Sequence, residues 1–158
     1  MEITRELIVP ATVERTFGLV DDLGEYPAWL RMVHAATPTD ETVAPDDAGT
    51  AEVAWIVELR AQVGPFARSK RLRMVRSIHE PTERVRFERA ERDGRSHAPW
   101  TLEVELEPAP VPSTAPASTR LTMRLHYGGR LFTGAVLQRV LDDEIEQGSR
   151  ELVRIACD

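Results

Sequence analysis

Two segments late in the chain limit the fold more than any other feature. Trp100 to Glu107, WTLEVELE, sets Trp100, Leu102, Val104 and Leu106 against Thr101, Glu103, Glu105 and Glu107. Thr119 to Tyr127, TRLTMRLHY, repeats the alternation, with Leu121, Met123, Leu125 and Tyr127 on one phase. A period of two with one polar side marks a half-buried strand, and neighbouring strands of this kind form an antiparallel sheet with one wet face. The period then changes. Across RLFTGAVLQRVLDDEIEQGSRELVRIA, Leu137, Leu141, Ile145, Gly148, Leu152 and Ile155 recur at three- and four-residue steps, which predicts one long amphipathic helix. About 25 residues at ~1.5 Å each reach ~37 Å, and a ten-residue strand spans ~33 Å. One helix can therefore run the length of the sheet.

The earlier segments supply more strands and a helical corner. EITRELIV (2–9) places Ile3, Leu7 and Val9 on one strand face, with Arg5 the exception. Pro10 ends that strand, and Thr12 is the expected N-cap of a helix with Glu14 near its positive end. Val13, Phe17 and Val20 follow at helical spacing. Gly24 is expected just past the helix end, and Pro27 at the first position of a second short helix, EYPAWL. TAEVAWIVEL (50–59) alternates with Ala51, Val53, Trp55, Val57 and Leu59 in phase. FARSKRLRMVRSI (66–78) has Phe66, Leu72 and Met74 in phase, and ERVRFERAER (83–92) has Val85 and Phe87. Asp93-Gly94 is the dipeptide preferred in two-residue hairpin turns. PAPVPSTAPAS (108–118), with four prolines, predicts an irregular exposed loop.

The expected class is α+β, a single domain over residues 1–158. Apolar residues at 42% and charged residues at 29% give an ordinary globular balance. No apolar run approaches the ~20 residues of a membrane-spanning helix. MEITRELIVP is acidic and alternating, unlike a signal peptide. The lone Cys157 permits no internal disulfide, so a reducing, cytoplasmic setting is expected. Charge is uneven: residues 68–95 hold ten basic side chains against five acidic ones in a chain of net charge −6.

The start ITRELIVPATVERTFGLVDDLGEYPAWL, the middle RVRFERAERDGRSHAPWTLEVEL and the close TRLTMRLHYGGRLFTGAVLQRVLDDEIEQGSRELV together resemble the START-like (SRPBCC) superfamily, in its polyketide cyclase/dehydrase-like branch. The resemblance covers nearly the whole chain. It implies the helix-grip fold: a curved antiparallel sheet of about seven strands around a long C-terminal helix, with two short helices after the first strand. It also implies a cavity between sheet and helix, closed at one end by the short helices, with Tyr26, Trp29 and Leu30 as wall or plug. Fold does not dictate reaction, and this superfamily hosts many tasks.

By phase, the cavity face includes Trp55, Phe66, Leu72, Met74, Phe87, Trp100, Leu102, Met123, Leu125 and Tyr127, with Leu137, Leu141 and Ile145 from the helix. These residues suit a greasy ligand, and each equally suits an ordinary core. Arg68 and Lys70 share phase with Leu72, and Arg89 shares phase with Phe87. A charge buried there needs a partner or a ligand; otherwise these positions lie at strand ends and reach into water. No catalytic residue is assigned. His34, His79, His97 and His126 have no metal-pair spacing, so neither a metal nor a cofactor is implied. Arg71, Arg73, Arg84 and Arg86 are expected on the outer face beside Glu83 and Glu88, a solvated and partly paired surface.

The expected partner is therefore a hydrophobic small molecule, lipid-like or polyketide-like, held in the cavity. A cyclase, aromatase or dehydratase acting on a poly-ketone chain in the same cavity is the alternative, with cationic or phenolic groups stabilising enolates. A regulator contacting protein or nucleic acid through the arginine-rich outer sheet is a third class. A nucleic-acid partner is not expected, because no RNA-binding aromatic motif accompanies those arginines.

Overall fold

A computed structural model of the protein describes residues 1–39, 52–63, 65–112, 114–129 and 135–158. Its strands are β1 (Glu2–Val9), β2 (Val33–Pro38), β3 (Ala54–Val63), β4 (Phe66–Glu80), β5 (Arg84–Arg89), β6 (Trp100–Pro108) and β7 (Thr119–Tyr127). All neighbours pair antiparallel, in the order β1-β7-β6-β5-β4-β3-β2. Helix α1 (Val13–Val20) and a 3₁₀ helix (Leu23–Ala28) follow β1, and α2 (Ala135–Cys157) closes the chain.

Register explains which face is buried. β6 and β7 pair Trp100 with Tyr127, Leu102 with Leu125, Val104 with Met123 and Leu106 with Leu121. The two apolar phases therefore meet on one face, and all eight side chains are buried. On the opposite face, Glu103 accepts from Arg86 and Arg124, and Glu107 accepts from Arg120. Helix α2 packs against β1 at one edge of the sheet and against β3 near the other. The sheet must curve around the helix for both contacts to form. Leu141, Ile145, Gly148 and Leu152 are buried along α2, as its period predicts, whereas in the last turn Ala156 is buried and Ile155 only half-buried. Arg5, the charged exception on β1, reaches Asp142 of α2 at 3.1 Å.

The helical corner differs from the sequence expectation. Asp21 caps α1, and Asp22 caps the 3₁₀ helix by accepting from the Gly24 N–H at 2.7 Å. Gly24 is therefore inside the second helix rather than after the first, and Pro27 sits near its end rather than at its start. The carboxylate captures the N–H before a left-handed cap can form. The Asp93-Gly94 turn also differs. β5 stops at Arg89 and β6 begins at Trp100, so the pair lies in a longer connection instead of a two-residue hairpin. There the Asp93 carboxylate accepts from the Arg95 N–H and contacts His97, while Gly94 takes φ +72°. Arg73 is the third correction. It is buried rather than solvated, pairing with Glu52 at 2.8 Å and donating to the Ala90 carbonyl.

Gly148 fixes the seat of α2. A Cβ there would stand 2.8 Å from Leu30 Cδ1 and 3.2 Å from the Trp29 carbonyl. Only a residue without a side chain lets the helix approach the corner this closely.

Candidate functional site

The space between sheet, corner and α2 is an apolar chamber of about 50 Å³. β3 contributes Val57 and Leu59, and β4 contributes Leu72 and Met74. Trp100 and Leu102 come from β6, Leu125 from β7 and Ile145 from α2. The corner adds Leu23, Leu30, Met32 and Val33. A water requires roughly 10–15 Å³ on this measure, so the chamber has room for a small guest only. A ligand of ordinary size, needing a pocket of roughly 300 Å³ or more, must spread the walls. Larger hollows of about 320 and 550 Å³ lie outside, over the outer sheet face and along exposed α2. Their walls are mostly glutamates and arginines that pair with each other, so they are shallow charged grooves.

The corner aromatics support the chamber rather than line it. Tyr26 Oη donates to the Val20 carbonyl at 2.9 Å, and Trp29 Nε1 donates to the Leu19 carbonyl at 3.1 Å. Both polar tips thus satisfy carbonyls at the end of α1 that have no partner within that helix. Burial pushes the Tyr26 phenol up, and Asp21 and Asp22 add to the shift, so it stays neutral. The Tyr26 ring packs on Trp29 and on Phe87, which meets Trp55 edge to face. Trp55 Nε1 donates to Asp22, and Arg76 donates to the Asp21 carbonyl. These contacts tie the corner to β3 and β4.

One end of the chamber carries polar groups. β4 continues past Leu72 to Lys70, whose Nζ lies 5.7 Å from the centre of the Tyr127 ring. β4 and β7 are separated by two strands, so this side chain reaches across the concave face. Tyr127 packs on Trp100, ring centres 4.6 Å apart. Gly129 leaves space for the Tyr127 hydroxyl, since a Cβ there would lie 1.8 Å from that oxygen. Arg89, 7% exposed, binds Glu91 at 2.9 Å and contacts His97 Nδ1 at 3.2 Å. Burial pulls the Lys70 ammonium down, Arg89 pulls it further, and Glu91 opposes both.

Of the residues read from phase, Leu72, Met74, Trp100, Leu102, Leu125 and Ile145 line the chamber. Tyr26, Trp29, Trp55, Phe87, Met123, Tyr127 and Leu141 are buried around it. Phe66 and Arg68 are corrections. Phe66 is 67% exposed and Arg68 is also exposed, because the β3–β4 hairpin projects beyond the core. Leu137 lies outside the described side chains. The proline-rich loop follows the Leu106 end of β6, away from the chamber, which touches the Trp100 end. Val57 and Leu59 shared the phase of Trp55 and could have been included from sequence. Leu23, Met32 and Val33 carry no periodic signal, because they lie where the chain turns from helix to strand.

Residues 1–156 match the family model for polyketide cyclase / dehydrase and lipid transport. The chain belongs to this family. No curated protein matches it in sequence. A Thermus thermophilus protein is similar in structure at 17% identity, covering 99% of this chain and 97% of that one, with TM-score 0.67. A START superfamily protein from Mycobacterium smegmatis is 15% identical over 98% of this chain and 96% of its own, with TM-score 0.66. The Zhui aromatase/cyclase of a Streptomyces species is 12% identical over 99% and 93%, with TM-score 0.63. At these identities the likeness shows a common START-like, helix-grip fold. Membership in the polyketide cyclase / dehydrase and lipid transport family supports a role in binding a hydrophobic ligand or in cyclisation. No helix among the described residues is long and apolar enough to cross a membrane.

Proposed function

We propose that the protein is a non-covalent binder of a hydrophobic small molecule, lipid-like or polyketide-like, held in the chamber between the sheet and α2. The observation that carries this reading is the wall itself: every described residue lining the chamber is apolar. A guest that loses about 200 Å² of apolar surface gains about 5 kcal/mol at ~25 cal/mol per Å². Part of that gain is lost to ordering the complex and opening the walls. Cyclisation of a poly-ketone needs several donors directed at a developing enolate, and among the described wall residues the one side-chain donor is the Trp100 indole N–H. The cations and the phenol stand beyond Trp100, at the chamber's end.

The test is a titration with N-phenyl-1-naphthylamine, a neutral apolar fluorophore, against the wild type and Leu125→Trp, a variant that fills the chamber. Saturable one-to-one binding that is lost in a folded Leu125→Trp supports the reading. Absence of saturable binding, or binding that survives the filling, removes it.

A further inference from the structure

We infer that the Lys70 end of the chamber is a head-group site for a single carboxylate, so that the ligand is a monoanionic amphiphile with its tail among Leu72, Leu102 and Leu125. This deepens the binding function proposed above and rests on it. Two observations point to the head group. Trp100 is only 8% exposed, and its Nε1 is a buried donor with no partner among the described residues. A buried N–H left without an acceptor costs about 1–3 kcal/mol, and every other described tryptophan, Trp29 and Trp55, has its acceptor. The second observation is Lys70. It has no carboxylate within ion-pair distance among the described residues, and its nearest recorded contact is the Tyr127 ring that also packs on Trp100.

The charge balance selects the class. Arg89 is already matched by Glu91, and the His97 ring is held between Asp93 and Arg89. Among the described residues one ammonium, the Trp100 indole N–H and the Tyr127 hydroxyl remain, donor groups that together carry one net positive charge. A carboxylate brings two oxygens and one negative charge. A phosphomonoester brings about −1.5 to −2, which this end does not neutralise. The negative charge of a bound carboxylate would also offset the desolvation and the Arg89 repulsion that disfavour the Lys70 ammonium.

The experiment compares decanoate with decanol, equal in chain length, on wild type and Lys70→Gln at neutral pH, below micelle formation. Lys70 is partly exposed, so the variant should fold, and its melting curve checks that. The ratio of decanoate to decanol affinity should fall by roughly tenfold or more in Lys70→Gln, the size of a charge-assisted hydrogen bond, with decanol affinity unchanged. The indole ¹⁵N–H resonance that disappears in Trp100→Phe should shift on adding decanoate to the wild type. Equal ratios in wild type and Lys70→Gln, with decanol still bound, overturn the head-group site and leave the apolar chamber standing. No binding of either compound overturns both.

Discussion

Leu72→Ala tests the chamber by enlarging it. Leu72 is 1% exposed, faces Val57 across the β3–β4 pair and lines the chamber wall. Truncation removes three carbons, about 2.4 kcal/mol of transfer free energy at ~0.8 kcal/mol each. The residual void adds to this, because a wall already bordering free space has no neighbour to collapse onto the gap. Leucine-to-alanine changes in cores cost about 2–5 kcal/mol, so about 3 kcal/mol or more is expected. In a domain of this size each kcal/mol lowers Tm by roughly 2–4 °C. Urea unfolding of wild type and variant measures the loss, with exposed Ile8→Ala as the control expected within about 0.5 kcal/mol. The enlarged chamber should then take benzene. At a hundred times its Kd, such a guest restores about 2.7 kcal/mol, and it should raise the Tm of the variant more than that of the wild type. A cost under about 1 kcal/mol with no benzene effect would show that Leu72 borders no chamber.

Gly148→Val should destabilise the protein by about 1–3 kcal/mol through overpacking, because the added Cβ meets Leu30 and the Trp29 carbonyl. Gly148→Ala should cost less, since its gain of ~1 kcal/mol in helix propensity offsets part of the clash. A urea midpoint for Gly148→Val at or above wild type contradicts the close seat of α2. Arg73, hydrogen-bonded to Glu52, holds that carboxyl below the usual glutamate range. The unfolded chain therefore binds the proton more readily, and this contribution is complete above roughly pH 4.3 and fades as pH falls through the lower folded value. Glu52→Gln should flatten that part of the acid limb in stability-versus-pH curves; an unchanged limb refutes the coupling. The amplitude is modest because Glu52 is exposed and solvent screens the pair.

The strands and the long helix are legible in the sequence because each is one uninterrupted period. Trp100, Leu102 and Leu125 fall on the chamber face because phase and register agree between β6 and β7. Phase does not reveal where a strand outruns the core. Phe66 and Arg68 continue the phase of Leu72, yet they sit on a projecting hairpin. The corner is less legible because its geometry rests on contacts between distant segments. Trp55 grips Asp22 from 33 residues away, and the Tyr26 and Trp29 tips are taken by carbonyls of α1. Nothing local to GEYPAWL indicates that its polar tips are engaged in this way. The chamber's small size depends on how closely α2 seats, and that depends on Gly148 meeting Leu30.

Diffraction from crystals pressurised with xenon tests most directly whether the sheet and α2 enclose dry, usable space. Small apolar cavities stay dry and take up xenon. A xenon atom in contact with Leu72, Leu102 and Ile145 is the expected result. Crystals that take up xenon elsewhere, or none at all, with those three side chains closed on one another, would contradict a ligand chamber in this protein.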